Sequence, residues 1–137
     1  MDKSNLPRGL RNCNPGNIRL GSCRWFGEIR PSQDEAFCQF RSMAYGYRAL
    51  FRLLQNYRCK HGLKTIAEMI RRWAPASENN TNAYIIDVCR QMQVPSTYVI
   101  DIEDRDSMCA LAAAISRHEN GVDAVMSEVY AGWNLLD

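Results

Sequence analysis

The run from Met108 to Glu119, MCALAAAISRHE, constrains this chain more than any other segment. Eight of its twelve residues are apolar and four are alanine, so it reads as an interior helix with little side-chain bulk. Asn120-Gly121 follow at once, and Gly121 is a natural helix stop. Glu119 therefore sits on the last turn, where the helix leaves the core for the surface. A carboxylate there is partly desolvated, and the negative end of the helix dipole also disfavours its charged form. Those are the conditions a general acid needs near neutral pH. The same position also suits an ordinary solvated residue at a helix end.

The 137 residues are enough for one domain with a real core, and 46% apolar against 23% charged residues predicts that it folds. The net charge of +2 is too small to demand an anionic partner. Arg71-Arg72 is the one adjacent basic pair, and no basic recognition helix stands out, so nucleic acid is not an expected partner. No run approaches a membrane span, and MDKSNLPRGLRN lacks the apolar stretch of a secretory signal. The expectation is synthesis in the cytoplasm, with export, injection or lysis delivering the chain to any target in the periplasm or cell wall.

The six cysteines, at 13, 23, 38, 59, 89 and 109, form no CxxC pair. Neither that spacing nor two histidines supports a metal centre, and no cofactor is expected. Cys59, Cys89 and Cys109 lie among apolar residues on predicted helices and read as small core residues, so free thiols are favoured over disulfides.

Residues 1–17 are polar, with Pro7, Gly9, Pro15 and Gly16 predicting irregular chain. Between Ile18 and Phe40, short apolar runs broken by Gly21, Gly27 and Pro31 predict a small sheet or hairpins. Ser42 opens a helix to about Lys60, with Gly46 as a packing position. Thr65 and Glu68 form a capping box for a short helix to Trp73. Pro75 ends that helix, and another runs from Asn80 or Thr81 to Met92 with Tyr84, Ile85, Val88 and Met92 facing inward. Asp104 or Asp106 opens the helix that carries Glu119. A last helix from about Asp123 to Leu135 docks through Val125, Met126, Val129, Trp133 and Leu136. The predicted class is mainly α, with a small β-containing lobe near the N-terminus. A cleft between lobe and helical body would be rimmed by the loops at 12–17, 27–35 and 77–81. Trp25, beside Gly27 and Glu28, is the aromatic best placed to face it.

The segments RGLRNCNPGNIR, WFGE, WAPASENNT and AAAISRHENG together resemble a family of bacterial and phage proteins often labelled phage structural or lysozyme-like. The resemblance covers roughly residues 8–136. It implies a lysozyme-like fold and peptidoglycan as partner, with cleavage of the β-1,4 bond between N-acetylmuramic acid and N-acetylglucosamine. AAAISRHENG is similar to the helix that carries the catalytic glutamate of lysozymes and lytic transglycosylases, which makes Glu119 the implied acid. In those enzymes this helix precedes the small lobe, whereas here it follows, so the order resembles a circular permutation.

Glycoside hydrolysis uses a second carboxylate, whereas a lytic transglycosylase works with one glutamate. Glu28, expected to reach across the cleft from the small lobe, and Glu78, before a helix N-terminus, are candidate catalytic partners. Asn14, Asn17, Trp25, Asn79, Asn80 and Thr81 are candidate substrate-binding residues. Each also has a structural reading as a turn, cap or core residue. Two alternatives stand beside cleavage. One is a non-catalytic phage or secretion-machine structural protein with a lysozyme-like fold. The other is a cell-wall amidase or peptidase using Cys13 or Cys38 with His61 or His118. A monomer is expected.

Overall fold

A computed structural model of the chain describes residues 5–137. The described residues are mainly α-helical with a small two-stranded lobe, the class predicted from the sequence. The order is α1 (Arg8–Arg11), β1 (Glu28–Ile29), β2 (Gln39–Phe40), α2 (Met43–His61), α3 (Ile66–Trp73), α4 (Thr81–Met92), α5 (Arg105–Asn120) and α6 (Met126–Asn134). The strands pair antiparallel, with Glu28 opposite Phe40 and Ile29 opposite Gln39.

Local chemistry sets the helix ends. Thr65 accepts from the Glu68 amide while Glu68 returns to the Thr65 amide, the reciprocal box expected for α3. Asn80 caps α4 by accepting from the Ala83 amide, and Asp104 caps α5 by accepting from the Ser107 amide. Gly121 ends α5 in the left-handed region, at φ 75°.

Elsewhere the structure corrects the sequence reading. The RGLR segment, expected to be irregular, makes one helical turn after Pro7, whose fixed φ suits that entry. The irregular start was also expected to include residues 1–4, which lie outside the described residues. Ser42 precedes α2 as expected, but its side chain makes no capping bond. Helix α6 starts at Met126 rather than Asp123, because the Asp123 carboxylate turns back to Arg117 at 2.9 Å. Val125 and Met126 are exposed, and docking falls to Val129, Trp133 and Leu136. Cys59 is exposed, whereas Cys89 and Cys109 are buried, and no disulfide forms.

Two apolar clusters share α2. Tyr47, Leu50, Phe51 and Leu54 join α3, α4, α5 and Val129 of α6 in the larger one. Ala49 and Leu53 turn to the small lobe, where Ile18, Cys38 and Phe40 form the other. The chain at Cys13–Pro15 crosses α2 at Gly46, where an added Cβ would lie 2.2 Å from the Cys13 carbonyl oxygen. The glycine thus sits in that helix for close approach. Trp73, at the end of α3, packs against both clusters.

Candidate functional site

A cleft of about 290 Å³ opens where the small lobe meets the helical body. Asn17, Ile18, Arg19 and Phe37 line it from the lobe, Leu53, Tyr57, Trp73 and Glu119 from the helices, and Glu78 and Asn79 from the loop between α3 and α4. Its volume lies near the lower end for ligand pockets.

The last turn of α5 brings Glu119 into the cleft wall. Asn17 Nδ2 donates to Glu119 Oε1 at 2.7 Å, joining residues 102 positions apart. Asn17 holds a left-handed backbone, φ 52°, which asparagine tolerates better than most residues. The Tyr84 hydroxyl donates to the other oxygen, Oε2, also at 2.7 Å. Burial, and then the negative charge of Glu119, push the Tyr84 phenol far above its ordinary range, so it stays a donor. The nearby Trp73 side chain partly opposes that shift.

Behind Tyr84 lies His118. The two rings are 3.8 Å apart between centroids, and His118 Nδ1 is 2.6 Å from Asp87 Oδ2. The bond to His118 is the main cause that holds Asp87 below the usual carboxylate range. Although His118 precedes Glu119 in sequence, it points to α4 and not into the cleft. Asn120 faces another way again and donates to the Pro15 carbonyl at 3.1 Å and the Ser116 carbonyl at 3.0 Å. Gly16 rests on the Trp73 indole, with space for no Cβ: one would lie 2.5 Å from the ring. The NPGN turn, the tryptophan of WAP and the EN of HENG thus meet at one place.

Of the three proposed carboxylates, Glu119 and Glu78 share the cleft and Glu28 does not line it. Glu28 was expected to reach across from the lobe. Its side chain is instead fully buried, with Oε2 3.0 Å from Arg30 Nε and Oε1 accepting the Trp25 amide at 3.0 Å. Burial raises its pKa, but the Trp25 amide and Arg30 outweigh that and hold it below its ordinary value. Glu78 stands at the cleft mouth, 3.6 Å from Arg19, and both side chains are about half exposed.

The remaining candidates divide between cleft and scaffold. Asn17 and Asn79 line the cleft. Asn14 is buried and bonds the Ile18 amide and the Ile18 and Cys38 carbonyls, each at 2.9 Å, so it fixes the turn. Asn80 caps α4, and the Thr81 hydroxyl donates to the Ala74 carbonyl. Trp25 packs on the lobe cluster, not against the cleft. Cys38 is buried, and burial followed by the Glu28 charge pushes its thiol up to about 12, the opposite of an activated nucleophile. Sequence reasoning missed Arg19, Phe37 and the role of Tyr84. The signal for Tyr84 was present, since a tyrosine on a buried stripe needs a partner for its hydroxyl.

Among the described residues, no three or more His, Cys, Asp or Glu side chains are grouped to hold a metal ion. No helix of the described residues is long and apolar enough to cross a membrane. No family model matches the chain. It is similar to Protein P5 of Pseudoalteromonas phage PM2, with 38% identity over 117 residues, covering 83% of this chain and 71% of the phage protein. At that identity and coverage, the chain belongs to the family of this phage protein.

Proposed function

We propose that the chain is a phage-related structural protein that keeps a lysozyme-like body and cleft without turning over a glycan. One observation carries this reading: Glu119, the acid that cleavage would call on first, is already engaged on both oxygens inside the molecule, and so is Glu28. Glu119 accepts on both oxygens, from Asn17 and Tyr84. Glu28 is buried against Arg30, and Glu78 faces Arg19. The Arg19–Glu78 pair is exposed and weak, but the Glu119 bonds join the NPGN turn, α4 and α5 as a structural tie. In this reading the protein is a monomeric single domain within a phage or injection assembly.

A second reading, cleavage of the N-acetylmuramic acid–N-acetylglucosamine bond, is favoured by the placement of Glu119 and Glu78 in one cleft beside Asn17, Asn79 and Trp73. A protonated Glu119 would give its proton to the leaving oxygen, and a bound glycan would have to displace the Asn17 or Tyr84 bond. With Glu78 idle, the chemistry would be that of a one-glutamate lytic transglycosylase. With Glu78 directing water, it would be hydrolysis. Delivery to the wall by injection or lysis would precede either. The cysteine-nucleophile reading loses ground with the buried Cys38 thiol.

Digestion of purified peptidoglycan, followed by mass spectrometry of the products, separates the readings. The structural role predicts no product at any protein concentration. Reducing muramic acid ends would select hydrolysis, and 1,6-anhydro ends transglycosylation. In either enzymatic case Glu119→Gln would lower turnover by about two to four orders of magnitude.

A further inference from the structure

Phe26 is the most exposed large apolar side chain among the described residues, at 65%. It is nevertheless held in place. Its ring stacks on Tyr45 with centroids 5.8 Å apart and planes at 29°, and the Arg48 guanidinium carbon lies 5.2 Å from its centroid. Tyr45 and Arg48 are three residues apart on α2, so both back the ring from the helix side and leave the outer face to solvent. The next residue, Gly27, fixes the approach. It has φ +79°, and a Cβ there would lie 2.3 Å from the Tyr45 ring.

The surroundings are basic. Arg41 donates its backbone N–H to the Gly27 carbonyl at 2.9 Å, and Arg24 lies two residues before Phe26. Both are exposed, and neither joins an ion pair among the described residues. Arg48 itself is mostly buried and paired with Asp137 at 3.7 Å, which is bonded also to Arg52, so the unpaired cations here are Arg24 and Arg41. The local excess reflects a wider asymmetry that the net charge of +2 conceals. Residues 5–72 hold thirteen Lys and Arg against four Asp and Glu, whereas residues 73–137 hold three against ten.

We propose that Phe26, backed by Tyr45 and flanked by Arg24, Arg41 and Arg48, is a stacking platform for single-stranded nucleic acid, separate from the cleft. An open aromatic face set among cations is how proteins bind unpaired bases and their phosphates without reading sequence. A neutral glycan would be met by carboxylates and amides that bond its hydroxyls, and the flanking side chains here are guanidinium groups. The lack of a basic recognition helix argues against reading a duplex groove and leaves single strands open.

Fluorescence anisotropy with labelled twelve-nucleotide oligothymidylate tests the site in the full chain. Binding should weaken as salt rises. Phe26→Ala should weaken it about tenfold, while Phe26→Trp keeps it and Arg41→Ala lowers both affinity and salt slope. Duplex DNA of equal length should bind more weakly. Unchanged affinity in Phe26→Ala, or equal binding of polyphosphate, which has no bases, would overturn the proposal. So would Phe26-dependent sedimentation with anionic phospholipid vesicles in place of oligonucleotide binding. If Phe26→Ala fails to fold, Phe26→Trp and Arg41→Ala decide by the same criteria. None of these outcomes depends on whether the cleft cleaves peptidoglycan.

Discussion

Glu119 is a residue whose two oxygens do two different jobs: Oε1 holds the NPGN turn through Asn17, and Oε2 answers the buried hydroxyl of Tyr84. Tyr84→Phe removes the donor to Oε2. It should cost about 1–3 kcal/mol in denaturant unfolding, the usual price of leaving buried polar groups unpartnered. Glu28 is the contrasting case. Removing Arg30 strands a carboxylate whose side chain is fully buried, so Arg30→Ala should cost about 3 kcal/mol, read as a lower urea midpoint. Glu28, Asp34 and Asp87 all have folded values below their ordinary ones. Each therefore adds stability above its unfolded pKa and loses it as pH falls through its folded value. The melting temperature should hold above about pH 5 and drop below about pH 4. Glu128 works the other way, since burial raises it, and it softens that drop. Residue chemistry was only partly legible in the sequence. Glu119 was found because a helix end is a local feature. Burial of Glu28 and its pairing with Arg30 depend on how the lobe folds back on itself, which no spacing records.

At the scale of elements, legibility followed the range of the forces. Helices α3 and α4 could be read nearly to the residue because their caps lie within three residues of the groups they satisfy. Thr65→Ala should cost about 1 kcal/mol in thermal or chemical unfolding and leave the fold intact. The last helix, expected from about Asp123, starts at Met126, and the Asp123 carboxylate pairs with Arg117. The strands of the lobe are two residues long, too short to show an alternation. The lobe is held by side-chain bonds instead, among them those of Asn14 and of Asp34 with Arg8 and Asn12. At the crossing of α2, Gly46→Ala should be strongly destabilising, because the Cβ would meet a backbone oxygen that cannot rotate away. A melting temperature within a degree of wild type would show that the crossing is looser than described.

At the scale of the molecule, the motifs NPGN, WAP and HENG are scattered in sequence and meet around one cleft. Their resemblance to a phage family named them together, but the bonds that join them needed the fold. That gathering also has a kinetic side. The Asn17–Glu119 bond closes a loop of 102 residues, so the entropy of closing it must be met before the bond can form. The expected order is helices first, because they are built from near neighbours, with the cleft among the last parts to take shape. Asn17→Ala should accordingly speed unfolding while leaving the folding limb of a chevron plot almost unchanged. A newly made chain would then pass through a stage with its helices in place and no cleft at all.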